Sequence, residues 1–158
     1  MYGLNPVRFN PTSQVTTTLG VNDGSIGDGA EDSTGKWLLV YNDNTASVPV
    51  GYGMVLNAGA TGYSCTVSSA TSADMLIGVV VNTSIVSAGY GWVLQRGFCN
   101  VQMGAASGTV LTKGTLQLGA AGLFFPKSNA TGSKDNVVGC AMATIVTSAS
   151  GPAFISVF

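Results

Sequence analysis

The hydrophobic pattern centres on the stretch from Met75 to Gly104. It holds the longest apolar run, Met75 to Val81, then a polar break at Asn82-Thr83-Ser84, then a Gly89-Tyr90-Gly91 turn that feeds Trp92, Val93 and Leu94. Val, Ile, Trp, Tyr and Phe suit the pleated, half-buried surface of a strand, and Gly78, Gly89, Gly91 and Gly97 would weaken any helix drawn through them. The pattern predicts consecutive strands near the centre of a β domain.

The same reading places strands on both sides of this stretch. Lys36 to Tyr41 (KWLLVY) reads as a strand closed by the turn-forming run Asn42-Asp43-Asn44. Val48-Pro49-Val50-Gly51 reads as a turn leading into a strand at Gly53 to Leu56, and Tyr63 to Val67 is a further short strand. Ser68 to Asp74, small and polar, is the one place where a helical turn fits. After the central stretch come Thr109 to Leu111, and then a hairpin in which Leu116 and Leu118 are joined to Leu123 to Phe125 by Gly119-Ala120-Ala121-Gly122. Lys127 to Asp135 is a polar loop, and Val137 to Val146 and Ala153 to Phe158 supply the last strands. Strand signals recurring about every ten residues, with no convincing amphipathic helix, predict an all-β fold: a small β-barrel or β-sandwich built from hairpins.

A faint internal repeat agrees with this. LIGVVVNTSIVSAGYGWVL lies over VVGCAMATIVTSASGPAFISV, so that Gly78 meets Gly139, Thr83 meets Thr144 and, after one inserted residue, Gly89 meets Gly151 and Trp92 meets Phe154. Each copy reads as strand, turn, strand.

Residues 1–20 form a different kind of segment, rich in Pro, Asn and Thr, with Pro6 and Pro11 denying it regular hydrogen bonding. It reads as an extended N-terminal arm, anchored through Leu4, Val7 and Phe9, that would order against a neighbour. Residues 21–158 form a single β domain, since 158 residues suit one core and would be cramped as two.

Composition changes the picture in one respect. Charged residues make up only 8% of the chain and apolar ones 46%, so Ser, Thr, Asn and Gly must cover the surface, which suits close packing against other proteins. Six basic and seven acidic residues give a net charge of −1, and no basic cluster exists to neutralise a row of phosphates, so nucleic acid is not an expected partner. No apolar run approaches the ~20 residues of a membrane-spanning helix, and the N-terminus lacks the layout of a signal peptide. The expectation is a protein made in the cytoplasm with no membrane partner. Cys65, Cys99 and Cys140 are far apart and without any CxxC pair, and read as free thiols acting as small hydrophobes.

Candidate chemistry is sparse. Asp23, Asp28, Glu31 and Asp32 stand among glycines, where a calcium loop would need carboxylates on a tightly turning backbone. Their spacing does not match D-x-[DN]-x-[DN]-G, so a solvated turn is the simpler reading and Asp23, Asp28 and Asp32 are weak cation candidates; no cofactor is expected. The chain contains no histidine, which excludes Ser-His-Asp and Cys-His arrangements. A carboxylate pair would have to draw on Asp43, Asp74, Asp135 or the acidic turn, all in loop-like polar contexts. Gly51-Tyr52-Gly53 and Gly89-Tyr90-Gly91 lack the spacing and the following helix of a phosphate cradle. Asn82-Thr83-Ser84 and Asn129-Ala130-Thr131 match the glycosylation triplet, which is idle without export. Trp37, Tyr41, Trp92 and Phe98 lie on expected strands and are assigned to core or inter-subunit packing, whereas Tyr52, Tyr63 and Tyr90, beside turn glycines, are the candidates for exposure at an interface or a sugar site.

The order of these features resembles the capsid decoration, or cement, proteins of tailed bacteriophages. The likeness runs from Leu19, Gly20, Asp23 and Gly24 through KWLLVY, the Pro49, Gly51, Gly53 turn and LIGVVV to the Gly89 to Gly97 run, and ends at VVGCAMA. The Gly89 to Gly97 run is similar to a G-x-x-G-[FYW]-V-x-x-x-G element of such proteins. The resemblance implies a β-rich, non-enzymatic structural protein of the virion, a homotrimer that binds the major capsid protein on the outer surface of the expanded head and stabilises its lattice. Two other readings are carried beside it: a receptor- or glycan-binding domain of a phage tail or fibre protein, using Tyr52, Tyr63 or Tyr90, and a polysaccharide depolymerase, which would need Asp43, Asp74 and Asp135.

Overall fold

In the computed structural model, which describes residues 17–19, 24–57, 62–67, 75–105, 108–127 and 137–157, ten strands form one sheet. They are β1 (Gly29–Glu31), β2 (Gly35–Asn42), β3 (Gly53–Leu56), β4 (Ser64–Thr66), β5 (Leu76–Val80), β6 (Tyr90–Gln102), β7 (Thr115–Leu118), β8 (Phe124–Pro126), β9 (Val137–Ala141) and β10 (Ser150–Ser156). The described residues contain no α-helix, only a 3-10 turn at Ala120–Gly122, so the all-β expectation holds.

The sheet curls into a closed five-stranded barrel in the order β2-β4-β3-β5-β6, with β6 returning to pair antiparallel with β2. Only β2 and β4 are parallel, with Tyr41 opposite Ser64. Closure removes free edges from these strands. The remaining strands repeat this plan. The C-terminal half of β6 pairs with β10, β10 with β9, β9 with β7 and β7 with β8, all antiparallel, and a parallel bridge from Phe124 to Met103 brings β8 back to the end of β6. One 13-residue strand therefore closes the first ring and opens the second.

The two halves agree in detail. β3 meets β5 with a bulge after Met54, and β7 meets β9 with a bulge after Leu116. The bridge between Val48 and Ile85 has its counterpart between Val110 and Ile145. Ala88 and Ser148 occupy the same turn with positive φ, 54° and 60°, and Gly51 and Lys113 do so at 88° and 66° while donating to the carbonyls of Val80 and Ala141. Left-handed backbone at a non-glycine residue costs energy, so its recurrence marks geometry the fold demands.

The cores correspond as well. Leu38, Val40, Val48, Met54, Cys65, Ile77, Val80, Ile85 and Val93 fill the first barrel. Their counterparts Cys99, Val101, Val110, Leu116, Phe124, Val138, Ala141, Ile145 and Ala153 are all buried in the second cluster, which also takes in the outer face of the first barrel. Full burial of each large aliphatic stabilises by about 1.5–3 kcal/mol.

Several boundaries differ from the sequence reading. The turn expected at Gly89-Tyr90-Gly91 lies earlier, at Ser87 and Ala88, and Tyr90 and Gly91 are already in β6. The repeat is confirmed, and Gly78 does correspond to Gly139, but the one-residue difference falls before Ile85, so Gly91 rather than Gly89 matches Gly151. Val137 to Val146 is a five-residue strand followed by a turn and the Ile145 bridge. Part of the acidic turn forms β1, because Leu39 donates its N–H to the Asp28 carbonyl and accepts from the Gly27 N–H, which draws the segment onto β2. All of the arm except residues 17–19, with its anchors Leu4, Val7 and Phe9, lies outside the described residues, as do the segment Ser68 to Asp74 and the polar loop beyond Lys127.

Candidate functional site

Equivalence of the two halves exposes one difference between them. On the first barrel the side chains that point away from the interior, Trp37, Leu39, Trp92 and Leu94, are buried. Residues preceding β2 cover them: Gly24 lies over Leu39, Leu19 and Ala30 pack on the same cluster, and the Trp37 indole donates to Asp32 at 3.1 Å. On the second barrel the counterparts are Phe98, Asn100, Pro152 and Phe154, and none of these is fully buried.

Phe98 is 65% exposed and packs edge-on against Phe154, with ring centroids 5.1 Å apart. The pair borders a shallow groove of about 260 Å³ whose lining includes Lys36, Arg96, Glu31 and Asp32, with Lys36 Nζ 3.9 Å from the Glu31 carboxylate. Its floor is the close approach of Gly35 and Gly97, where an added Cβ would stand 2.0 Å from the Arg96 carbonyl oxygen or 2.3 Å from that of Thr34. An exposed aromatic pair rimmed by charges has the composition of an interface anchor.

A second concavity lies at one end of the first barrel. It is lined by Tyr41, Asp43, Asn44, Thr45, Ser87 and the buried Asn42, and measures about 170 Å³. Tyr41 and Tyr90 pack beside it, ring centroids 5.0 Å apart and tilted by 51°. Asn42 is the one buried polar side chain among the described residues. Its Nδ2 donates to the carbonyls of Ala46, Ile85 and Val86, and its Oδ1 accepts from the Asn44 N–H.

The tyrosines singled out by sequence are not brought together. Tyr90 is half-buried against Tyr41, and Tyr52 is half-buried on the first core. Tyr63 is exposed, at 39%, with one edge of its ring against Gly27, where an added Cβ would stand 2.4 Å from Cδ2. Among the residues assigned to packing, Trp37 and Trp92 are core and Tyr41 is half-buried, whereas Phe98 is on the surface. The signal for Phe98 was present in the alternation of Arg96, Phe98, Asn100 and Gln102 with Gly97, Cys99, Val101 and Met103, which sets Phe98 on the polar face.

Asp28 and Asp32 hold turns. Asp28 accepts from the Ser25 N–H at 2.7 Å. Asp32 accepts from the Thr34 N–H and hydroxyl, the Gly35 N–H and the Trp37 indole. Partial burial raises the Asp32 pKa, but the hydrogen bonds from Thr34, Trp37 and Gly35 outweigh it and hold the carboxyl below its ordinary value. Among the described residues no three acidic or thiol groups gather as a cation site, and Asp23, Asp74 and Asp135 lie outside them. The three thiols are free; burial pushes those of Cys65 and Cys99 up to about 12.

No protein-family model matches the chain, and neither does any curated protein. Among solved structures, it is similar to the head fiber gp8.5 N base of bacteriophage phi29, with a TM-score of 0.55 and 12% sequence identity over 76% of this chain and 94% of that one. At that identity the likeness establishes a shared fold.

Proposed function

We propose that this chain is a structural protein of a bacteriophage virion, seated on the outer surface of the head, where it contacts the major capsid protein and stabilises its lattice. The observation that carries the reading is the fold correspondence with a phage head fiber base, which takes in 94% of that chain. The uncovered Phe98–Phe154 face supplies a contact surface, and Glu31, Asp32, Lys36 and Arg96 beside it give that surface a rim of both signs. The role in this reading is mechanical, not enzymatic, and self-association as a trimer would multiply weak contacts into a firm attachment.

Co-sedimentation of the purified protein with expanded, undecorated heads, with unexpanded procapsids for comparison, tests this. Saturable binding to expanded heads alone is expected, and its stoichiometry reads out the arrangement on the lattice. Absence of binding to either particle would overturn the head assignment in favour of a tail or fibre component.

A further inference from the structure

The polar concavity beside Tyr41 and Tyr90 is absent from the head-binding reading and does not depend on it. We infer that it is a saccharide-binding cleft, which takes one neutral sugar ring. Sugars are recognised by an aromatic face laid against their C–H surface and by short polar side chains that bind adjacent hydroxyls. The cleft has both. Tyr41 lines it, half-buried and backed by the Tyr90 ring at 5.0 Å, and Asp43, Asn44, Thr45 and Ser87 complete the lining. With one carboxylate and no basic residue among the lining, it suits neither an anion nor a cation cage. A volume of about 170 Å³ equals that of roughly five or six waters at about 30 Å³ each, which fits a single ring better than a chain.

The cleft is formed before any ligand arrives. Asn42 fixes the loop through Ala46 and Asn44, at 3.1 and 3.0 Å, and ties it to Ile85 and Val86 on the other wall. Ser87 Oγ donates to the Asn44 carbonyl at 2.8 Å, and Asn57 donates to the Asp43 carboxylate. Such preorganisation lowers the ordering cost of binding.

The second half of the molecule serves as an internal control. At the place of Asn42 it has Met103, at Tyr41 and Tyr90 it has Gln102 and Ser150, and at Asp43 and Asn44 it has Gly104 and Ala105. The same fold is thus built without the tyrosine pair, the carboxylate or the buried amide. Burying an amide costs free energy unless every bond is made, and an apolar side chain does the structural work at Met103. What the first half gains from Asn42 is a fixed polar loop beside two aromatic rings.

The test is an NMR-detected titration of the full chain with glucose, galactose, mannose and N-acetylglucosamine. Saturable shifts are expected with at least one sugar, centred on the amides of Tyr41, Asn44, Ser87 and Tyr90. The double variant Tyr41→Gln/Tyr90→Ser carries the residues of the second half and should abolish them. Asp43→Ala, in an exposed loop, should weaken binding about tenfold, or 1.4 kcal/mol, and it decides the matter should the double variant not fold. Phe98→Ser should leave sugar binding unchanged, which separates this site from head attachment. No saturable shift with any of the four sugars, or shifts that survive both sets of cleft substitutions, would overturn the inference.

Discussion

Ile85 lies over Gly91 so closely that a Cβ on the glycine would stand 2.6 Å from the isoleucine Cγ1. The same relationship recurs between Ile145 and Gly151, at 2.7 Å. In each half an isoleucine carried on a turn plugs one end of the ring by occupying the space of a missing side chain, so the glycine is fixed by packing and not by its own backbone.

Gly91→Ala and Gly151→Ala should each destabilise by about 1–3 kcal/mol through overpacking. Urea denaturation checks this. Adding Ile85→Val to Gly91→Ala should recover part of the loss, because it removes a methyl group from the crowded side; an additive further loss would contradict the packing account.

Acid stability should depend in part on Asp32. Its carboxyl titrates below the ordinary aspartate value in the folded protein, so it contributes stability that is present above the unfolded pKa of about 3.9 and is lost as pH falls through the folded value. Asp32→Asn should flatten the pH dependence of the melting temperature in that acid range and leave it unchanged near neutrality apart from a constant offset. An unaltered slope would show that Asp32 is not a contributor.

Thiol labelling should be ordered by burial. Cys65 and Cys99 are buried and their thiols are held protonated, with pKa values of about 12, whereas Cys140 is half-buried. Brief treatment of the folded protein with a thiol-reactive reagent should modify Cys140 first, and the other two should react only as the protein unfolds. Mass spectrometry of the labelled peptides distinguishes them.

Phe98→Ser should change thermal stability little, since the ring is mostly in water, yet weaken attachment to expanded heads. Phe124→Ala, which empties a fully buried site in the second core, should do the reverse in kind: about 3–5 kcal/mol of lost stability. Comparable loss of head binding by a folded Pro152→Ser variant would place the contact on the same face.

Much of the strand content was legible in the sequence, because alternation and turn chemistry act locally. Lys36 to Tyr41, the hairpin around Gly119 to Gly122 and the Val48 to Gly51 turn all lie where the pattern puts them. The duplication was only half legible, because equivalent core positions hold unlike residues: Cys65 answers to Phe124, Leu38 to Cys99 and Val93 to Ala153. A core tolerates such exchanges when total volume is kept, so packing preserves the plan while the letters diverge. The surfaces were less legible still. Tyr63, expected to be exposed, is so at 39%, but Phe98 lies outside the core at 65% exposure, against only Phe154, since which face of a barrel is covered depends on distant segments such as the one ending at Asp32.

The shared strand has a mechanical consequence. β6 spans 13 residues, roughly 40 Å at about 3.3 Å per residue, and serves as a wall of both rings. Two domains joined by a linker can swing; two rings that own the same strand cannot, and neither can be pulled away without tearing the other's wall. The two rings are therefore coupled through one continuous backbone wall, so a load on either is shared with the other through β6.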